Sequence, residues 1–276
     1  MKWIFYHLGF LFFTPLMAEE HVAKKSYTLW DAFHMPENIE ENGHLIDWLF
    51  NYTTIMITLF FIFVVIGIVG FCYFYHHKRH PKALYTYGTK RSQIIFATVI
   101  GTAVFFIIDI NIVRISNDDF TKVFLNWPDE TKEEVIKVEV LAQQWSWNFR
   151  LAGKDGVFNT EDDVVSTNDL RLPIGKKVYF QVTSKDVIHS FWIPNARRKV
   201  DAIPGRITRM WMKFTKEGKW DIACAEMCGT HHYLMKASLT TYSNEDFKNW
   251  LTQAQNHSLA ENDRGTQDIY WGWNWN

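Results

Sequence analysis

Between Trp48 and Tyr75 no residue is charged and most are apolar. About 20 apolar residues, rising roughly 1.5 Å each, cross the hydrocarbon of a bilayer, so this stretch is long enough to span. Lipid offers no partner to an unpaired backbone group, which leaves a helix as the conformation open to such a run. A second run follows Arg91, from Ser92 to about Ile115. The expected spans are 48–75 and 92–115, within a segment 46–116. Asp109 falls inside the second run, roughly 24 Å along the helix from Gln93, near the far interface where water reaches it. An earlier apolar stretch, Trp3 to Met17, stands behind Lys2 and ends at the small Ala18. It is short for a span and reads as a secretory signal covering 1–18.

The loop charges orient the hairpin. Lys78, Arg79, Lys82, Lys90 and Arg91 stand between the spans without an acidic residue, so that loop faces the cytoplasm. The segment 19–45 carries Glu19, Glu20, Asp31, Glu37, Glu40 and Glu41, as expected of the outer side. Both termini, and everything after residue 116, then lie on the periplasmic side of a bacterial inner membrane. A formal net charge of −1 gives no reason to expect nucleic acid as a partner.

From Lys137 onward the pattern changes. "VIKVEVLAQQWSWNF", "KKVYFQVTS", "VIHSFWI", "ITRMWMKF", "KWDIACA" and "LMKASLTTY" are short and rich in β-branched and aromatic residues, with turn residues between them. They predict an all-β sandwich or barrel over 117–243. "SNEDFKNWLTQAQNH" reads as a closing helix with Ser243 as N-cap and Asp246 three residues on. The helix and an aromatic tail make up 244–276.

The chain has three Cys, too few for a disulfide scaffold. Cys72 sits in the first span as packing. The other two fall in "CAEMCGTHHYLM", where Cys224 and Cys228 precede an imidazole and Met235. Thiolate with thioether selects a soft metal such as copper, whereas zinc seldom uses Met. A blue-copper site takes a remote His from one strand and Cys, His and Met from one loop, and His189 in "DVIHSFWIP" supplies the remote ligand. With a second Cys, two thiolates can bridge two copper ions, each with one imidazole and one weak axial ligand. Met235 would serve one ion and the Glu226 carbonyl the other. The alternatives are a disulfide or redox thiol pair, and a membrane-tethered copper chaperone. Neither needs the His-x-x-Met that follows, and Gly229 stands where the chaperones carry Pro. Spacing does not separate His231 from His232 as the ligand.

The chain resembles subunit II of the haem–copper cytochrome c oxidases. It shares that family's C-x-E-x-C-G-x-x-H-x-x-M pattern at Cys224, Glu226, Cys228, Gly229, His232 and Met235. It also has the HS…P strand at His189, Ser190 and Pro194, and the K-x-D-A-I-P-G-R stretch from Lys199 to Arg206. The resemblance implies a membrane-anchored chain whose two-helix hairpin precedes a cupredoxin-like Greek-key β-barrel. It implies a binuclear CuA centre on His189, Cys224, Cys228, His232, Met235 and the Glu226 carbonyl, with the Glu226 carboxylate on a magnesium ion shared with the catalytic subunit. Cytochrome c would deliver electrons at Trp145, in "QQWSW", with Trp147 on the same strand face. Asp186, Glu161, Asp162 and Asp163 would steer that donor. The electron passes to haem in catalytic subunit I, where oxygen reduction is coupled to proton pumping, and this chain alone has no oxidase activity. Some relatives carry a Glu near the start of the second span that opens a proton path; Gln93 stands there, and no role is assigned to it. The sequence contains no C-x-x-C-H, so the donor is a separate protein.

Overall fold

The computed structural model describes residues 35–262, apart from 83–84, 130 and 161. The candidate signal, most of the acidic segment 19–45, the aromatic tail after residue 262 and Glu161 lie outside the described residues. Helix α1 runs Gly43–Phe74 and helix α2 Arg91–Phe124, both long and apolar enough to cross a membrane. Each reaches further than its apolar run at the end nearer the β domain. His44 and Asp47 continue the first helix, and Ser116 to Phe124 continue the second, because polar side chains do not stop a helix whose backbone bonds remain intact. Two π-helical turns interrupt α2, at Phe105–Asp109 and Asp119–Phe124.

Ten strands follow: β1 Val135–Gln143, β2 Ser146–Leu151, β3 Val164–Thr167, β4 Asp169–Pro173, β5 Lys177–Ser184, β6 His189–Ile193, β7 Arg198–Ala202, β8 Thr208–Lys213, β9 Gly218–Cys224 and β10 Lys236–Tyr242. They make two five-stranded sheets, ordered β3-β2-β1-β5-β8 and β4-β10-β9-β6-β7. The β1–β5 and β4–β10 pairs are parallel and the remaining strand pairs antiparallel. This is a cupredoxin-like sandwich behind a two-helix membrane anchor. "VIKVEVLAQQWSWNF" is two strands, because Gln144 and Trp145 form a turn closed by the Gln143–Ser146 pair. Trp145 is therefore on a turn rather than sharing a strand face with Trp147.

Alternate residues of both sheets fill the space between them. Phe191 of β6 is the hub, with ring centroids 5.4 Å from Trp147, 6.1 Å from Phe149 and 5.5 Å from Phe180, all of the facing sheet. Helix α3, Asn244–Asn262, caps the sandwich through Phe247 and Leu251. Its cap is the expected one: the Asp246 N–H donates to Ser243 Oγ at 3.1 Å, and that hydroxyl donates to the Asp246 carboxylate at 2.8 Å. The residues just ahead of α1 also join this core. Ile39 is fully buried in it, the Ile39 N–H donates to Asn195 O at 3.0 Å, and the Thr215 N–H donates to Ile39 O at 2.8 Å.

Candidate metal centre

β9 and β10 form a hairpin whose connecting loop holds the thiols. The Cys224 N–H donates to Met235 O at 3.2 Å, which closes the base, and the Ala225 N–H ties the loop to Ser190 O of β6 at 3.0 Å. Gly229 is required where it stands. Its φ is +121°, and a Cβ there would meet Gln144 Nε2 at 2.9 Å and the Trp145 ring at 3.1 Å.

Two chains of donors meet at the sulfurs. Cys224 Sγ lies 3.9 Å from His189 Nδ1 and 3.2 Å from Glu226 O. Cys228 Sγ lies 3.5 Å from His232 Nδ1 and 3.8 Å from Met235 Sδ. The sulfurs are 3.7 Å apart and both thiols are free. Each thiol thus has its own imidazole and its own weak partner, a carbonyl for one and a thioether for the other. His189, Cys224, Cys228 and Met235 are buried, His232 is half-buried, and the Glu226 side chain is exposed. His232 faces the thiol, while His231 turns away, its Nδ1 on Thr230 Oγ1 and its ring 4.5 Å from Trp145.

The thiols are inequivalent. Burial opposes charge at Cys224, but hydrogen bonds with His189 and from the neighbouring backbone draw it down to about 6. Burial and the Cys224 thiolate push Cys228 up to about 12. One proton leaves the pair easily and the second only when cationic charge arrives between the sulfurs. Buried soft donors short of one positive charge fit a copper site.

Asp186, expected among the docking acids, also supports a candidate ligand. Its carboxylate meets His189 Nε2 at 2.9 Å and accepts from the N–H groups of Gln144 and Val187, each at 2.6 Å. These bonds overcome partial burial and hold its pKa below the ordinary carboxylate value. They fix which ring nitrogen of His189 is turned to sulfur. Gln144 completes the support, donating from Nε2 to Cys228 O at 2.7 Å. The available signals were position alone: Asp186 stands three residues before His189, and Gln144 directly before Trp145.

Two of the other expected docking residues, Trp147 and Asp163, are buried away from any docking partner. Trp147 is fully buried against His189 and Phe191, because its place on β2 points into the sandwich. Asp163 is buried beside Arg150. Asp162 accepts from the Lys154 N–H and Thr160 Oγ1 and binds Gln255 of α3, so it fastens a loop. Trp145 stays half-buried at the surface, on His231. The exposed side chains nearby in sequence include the apolar Val187, Ile188, Met227, Tyr233 and Leu234 among polar ones such as Lys185, Glu226 and His231.

Sequence comparison with known proteins fixes its family. The family described as "Cytochrome C oxidase subunit II, periplasmic domain" matches residues 136–241. The alternative cytochrome c oxidase subunit 2 of Bradyrhizobium diazoefficiens is 34% identical over 238 residues, covering 78% of this chain and 82% of that one. This chain belongs to the cytochrome c oxidase subunit II family. A probable subunit 2 from Rickettsia prowazekii is 31% identical and is covered over 72% of its length. Among solved structures, the periplasmic domain of subunit II from Bradyrhizobium japonicum is 25% identical with a TM-score of 0.41, covering 47% of this chain and 97% of that one. In subunit II terms, the buried cluster His189, Cys224 and Cys228 is the place to hold copper.

Proposed function

We propose that this subunit II takes electrons from cytochrome c and relays them to haem in the catalytic subunit, with its β domain on the periplasmic side. The observation that carries the reading is the thiol pair 3.7 Å apart, each sulfur with its own imidazole and weak partner. His189, Cys224, Cys228, His232, Met235 and the Glu226 carbonyl would hold a binuclear copper centre. When bound, a copper pair joined through two thiolates supplies a one-electron couple whose charge is spread over both metals and sulfurs.

The chain's own residues supply rigidity and access. Asp186 and the base of the hairpin hold the donors in place before any metal arrives, so little need move as charge changes. Trp145 offers the donor an aromatic surface, and Gln144 links its turn by hydrogen bond to the Cys228 carbonyl. Surface apolar side chains on the neighbouring loops exclude water from that contact. The exposed Glu226 carboxylate would offer oxygen to a magnesium ion shared with the catalytic subunit.

Metal analysis and paramagnetic resonance of the purified intact oxidase test this reading. Two coppers attributable to this chain, with a mixed-valence signature, are expected. A colourless centre with a Cys224–Cys228 disulfide would instead establish a thiol-redox role.

A further inference from the structure

We propose that Arg197 and Arg198 form a paired clamp that fixes the β domain in one orientation against both membrane helices. Resting on the reading above, they are positioning residues for the electron's exit towards the partner subunit.

The two arginines are consecutive, yet each grips a different helix. β6 ends in a single 3-10 turn, Pro194–Ala196, and Arg197 follows with a φ of +59°. That left-handed conformation is uncommon for a residue with a Cβ, and here it throws neighbouring side chains in different directions. Arg197 Nε and Nη2 donate to both carboxylate oxygens of Asp47 on α1, at 2.6 and 3.2 Å. Its Nη1 donates to Pro194 O at 3.0 Å and Asn195 O at 3.4 Å, and Nη2 also donates to Pro36 O. Every guanidinium nitrogen is engaged, and the side chain is 3% exposed. Arg198 grips α2. Its Nη1 and Nη2 donate to the two oxygens of Asp119, at 3.3 and 3.1 Å, with the side chains 9% and 14% exposed.

These pairs differ in kind from the exposed bridges nearby. Lys216 and Glu37 are about half exposed, and ion pairs of that sort contribute little. A shielded, two-pronged arginine–carboxylate pair fixes distance and angle together, which a lysine point charge does not. Each guanidinium has its own acid, Arg197 on α1 and Arg198 on α2, and the buried Glu40 adds a further attractive charge for Arg198. Trp211 adds a third tie, donating from Nε1 to Val123 O of α2 at 3.1 Å.

The clamp bears on the metal centre through one strand. β6 begins at the candidate ligand His189 and ends at the clamp turn. A change in the angle between the spans and this turn therefore moves the ligand as a rigid body relative to the membrane. Electron transfer depends steeply on distance, so orientation affects the exit step more than the reception of electrons at the surface.

The test uses the assembled oxidase carrying Arg197→Gln with Arg198→Gln, and separately the reversed pair Arg198→Asp with Asp119→Arg. Rapid mixing with reduced donor resolves reduction of this subunit's centre from the later reduction of the partner's haem. The double Gln variant is expected to slow the second phase at least tenfold, leave the first within twofold, and leave the resonance spectrum unchanged. The reversed pair should restore most of the second phase. Spin-label distances between Lys219 on β9 and Lys90 at the head of α2 should broaden in the Gln variant and sharpen again in the reversed pair. An unchanged second phase with an unchanged distance distribution overturns the proposal. So does a variant that slows both phases and loses the spectrum, since the arginines would then hold the fold rather than its orientation. If the wild-type oxidase shows no copper signature, the functional reading fails, while the label distances still decide the clamp.

Discussion

Two of the polar clusters that the β domain buries are balanced in opposite ways. Glu139, Arg150 and Asp163 lie on the outer side of the β1–β2 pair beneath the 153–163 loop, and all three are almost fully buried. Arg150 Nε donates to Glu139 at 2.5 Å, its Nη1 to Asn159 Oδ1 at 2.7 Å, and Asp163 lies 3.9 Å away. That cluster brings its own cation. The thiol–imidazole cluster has only the His189 imidazole, which burial disfavours as a cation but Cys224 and Asp186 favour, and its second thiol resists ionisation. A buried polar group that the chain itself compensates is architecture, and one left short of a charge is a place for something to bind.

The largest effect separating the two should come from Cys228→Ser. It should abolish the two-copper resonance signature altogether while the thermal unfolding of the domain stays within a few degrees. Arg150→Met is the converse. Removing one partner of a buried pair costs about 3–5 kcal/mol, whereas replacing the whole cluster by apolar residues is often neutral. Denaturant unfolding should therefore show a large loss for Arg150→Met and recovery of most of it in Glu139→Leu/Arg150→Met/Asp163→Leu. A triple variant as unstable as the single one would break the comparison. Asp186→Asn should act more gently, lowering copper affinity by about 10–100-fold without preventing loading, as read by competition with a chelator.

The smallest effect concerns pH. Burial raises Glu139 to about 7 against the opposing charge of Arg150, and raises Asp163 to about 6. Both folded values lie above those of the unfolded chain, so the folded state holds extra protons between roughly pH 4 and 7. The contribution of these carboxyls is complete below that window and is lost as pH rises through 6 and 7. Unfolding midpoints at pH 5 and pH 8 should show the decline, and Glu139→Gln should flatten its upper part.

What the chain discloses before folding follows the same division. The apolar helices and the candidate copper donors are legible because each rests on local spacing: an uncharged run, or C-x3-C with His and Met at fixed offsets. The roles of Asp163 and Trp147 were misread because an acid run and a Trp pair look alike whether they face water or a core. Glu139 and Arg150 were the available clue, since each interrupts an apolar strand, and their register places them opposite one another. The two arginines act on residues reached only through tertiary structure, Asp47 and Asp119, and no periodicity reports that; Asp186 sits three residues from His189, but its bond to the Gln144 N–H crosses the fold.

Ile39 carries a consequence for biogenesis. It precedes both membrane helices, yet it occupies a slot in a core otherwise drawn from residues 138–251. The sandwich cannot reach its final packing until the segment ahead of both helices has returned to meet the strands that follow them. A fragment beginning after α2 would lack this stitch and leave β8 beside an unfilled groove. Maturation of the domain is thereby coupled to correct placement of its two helices.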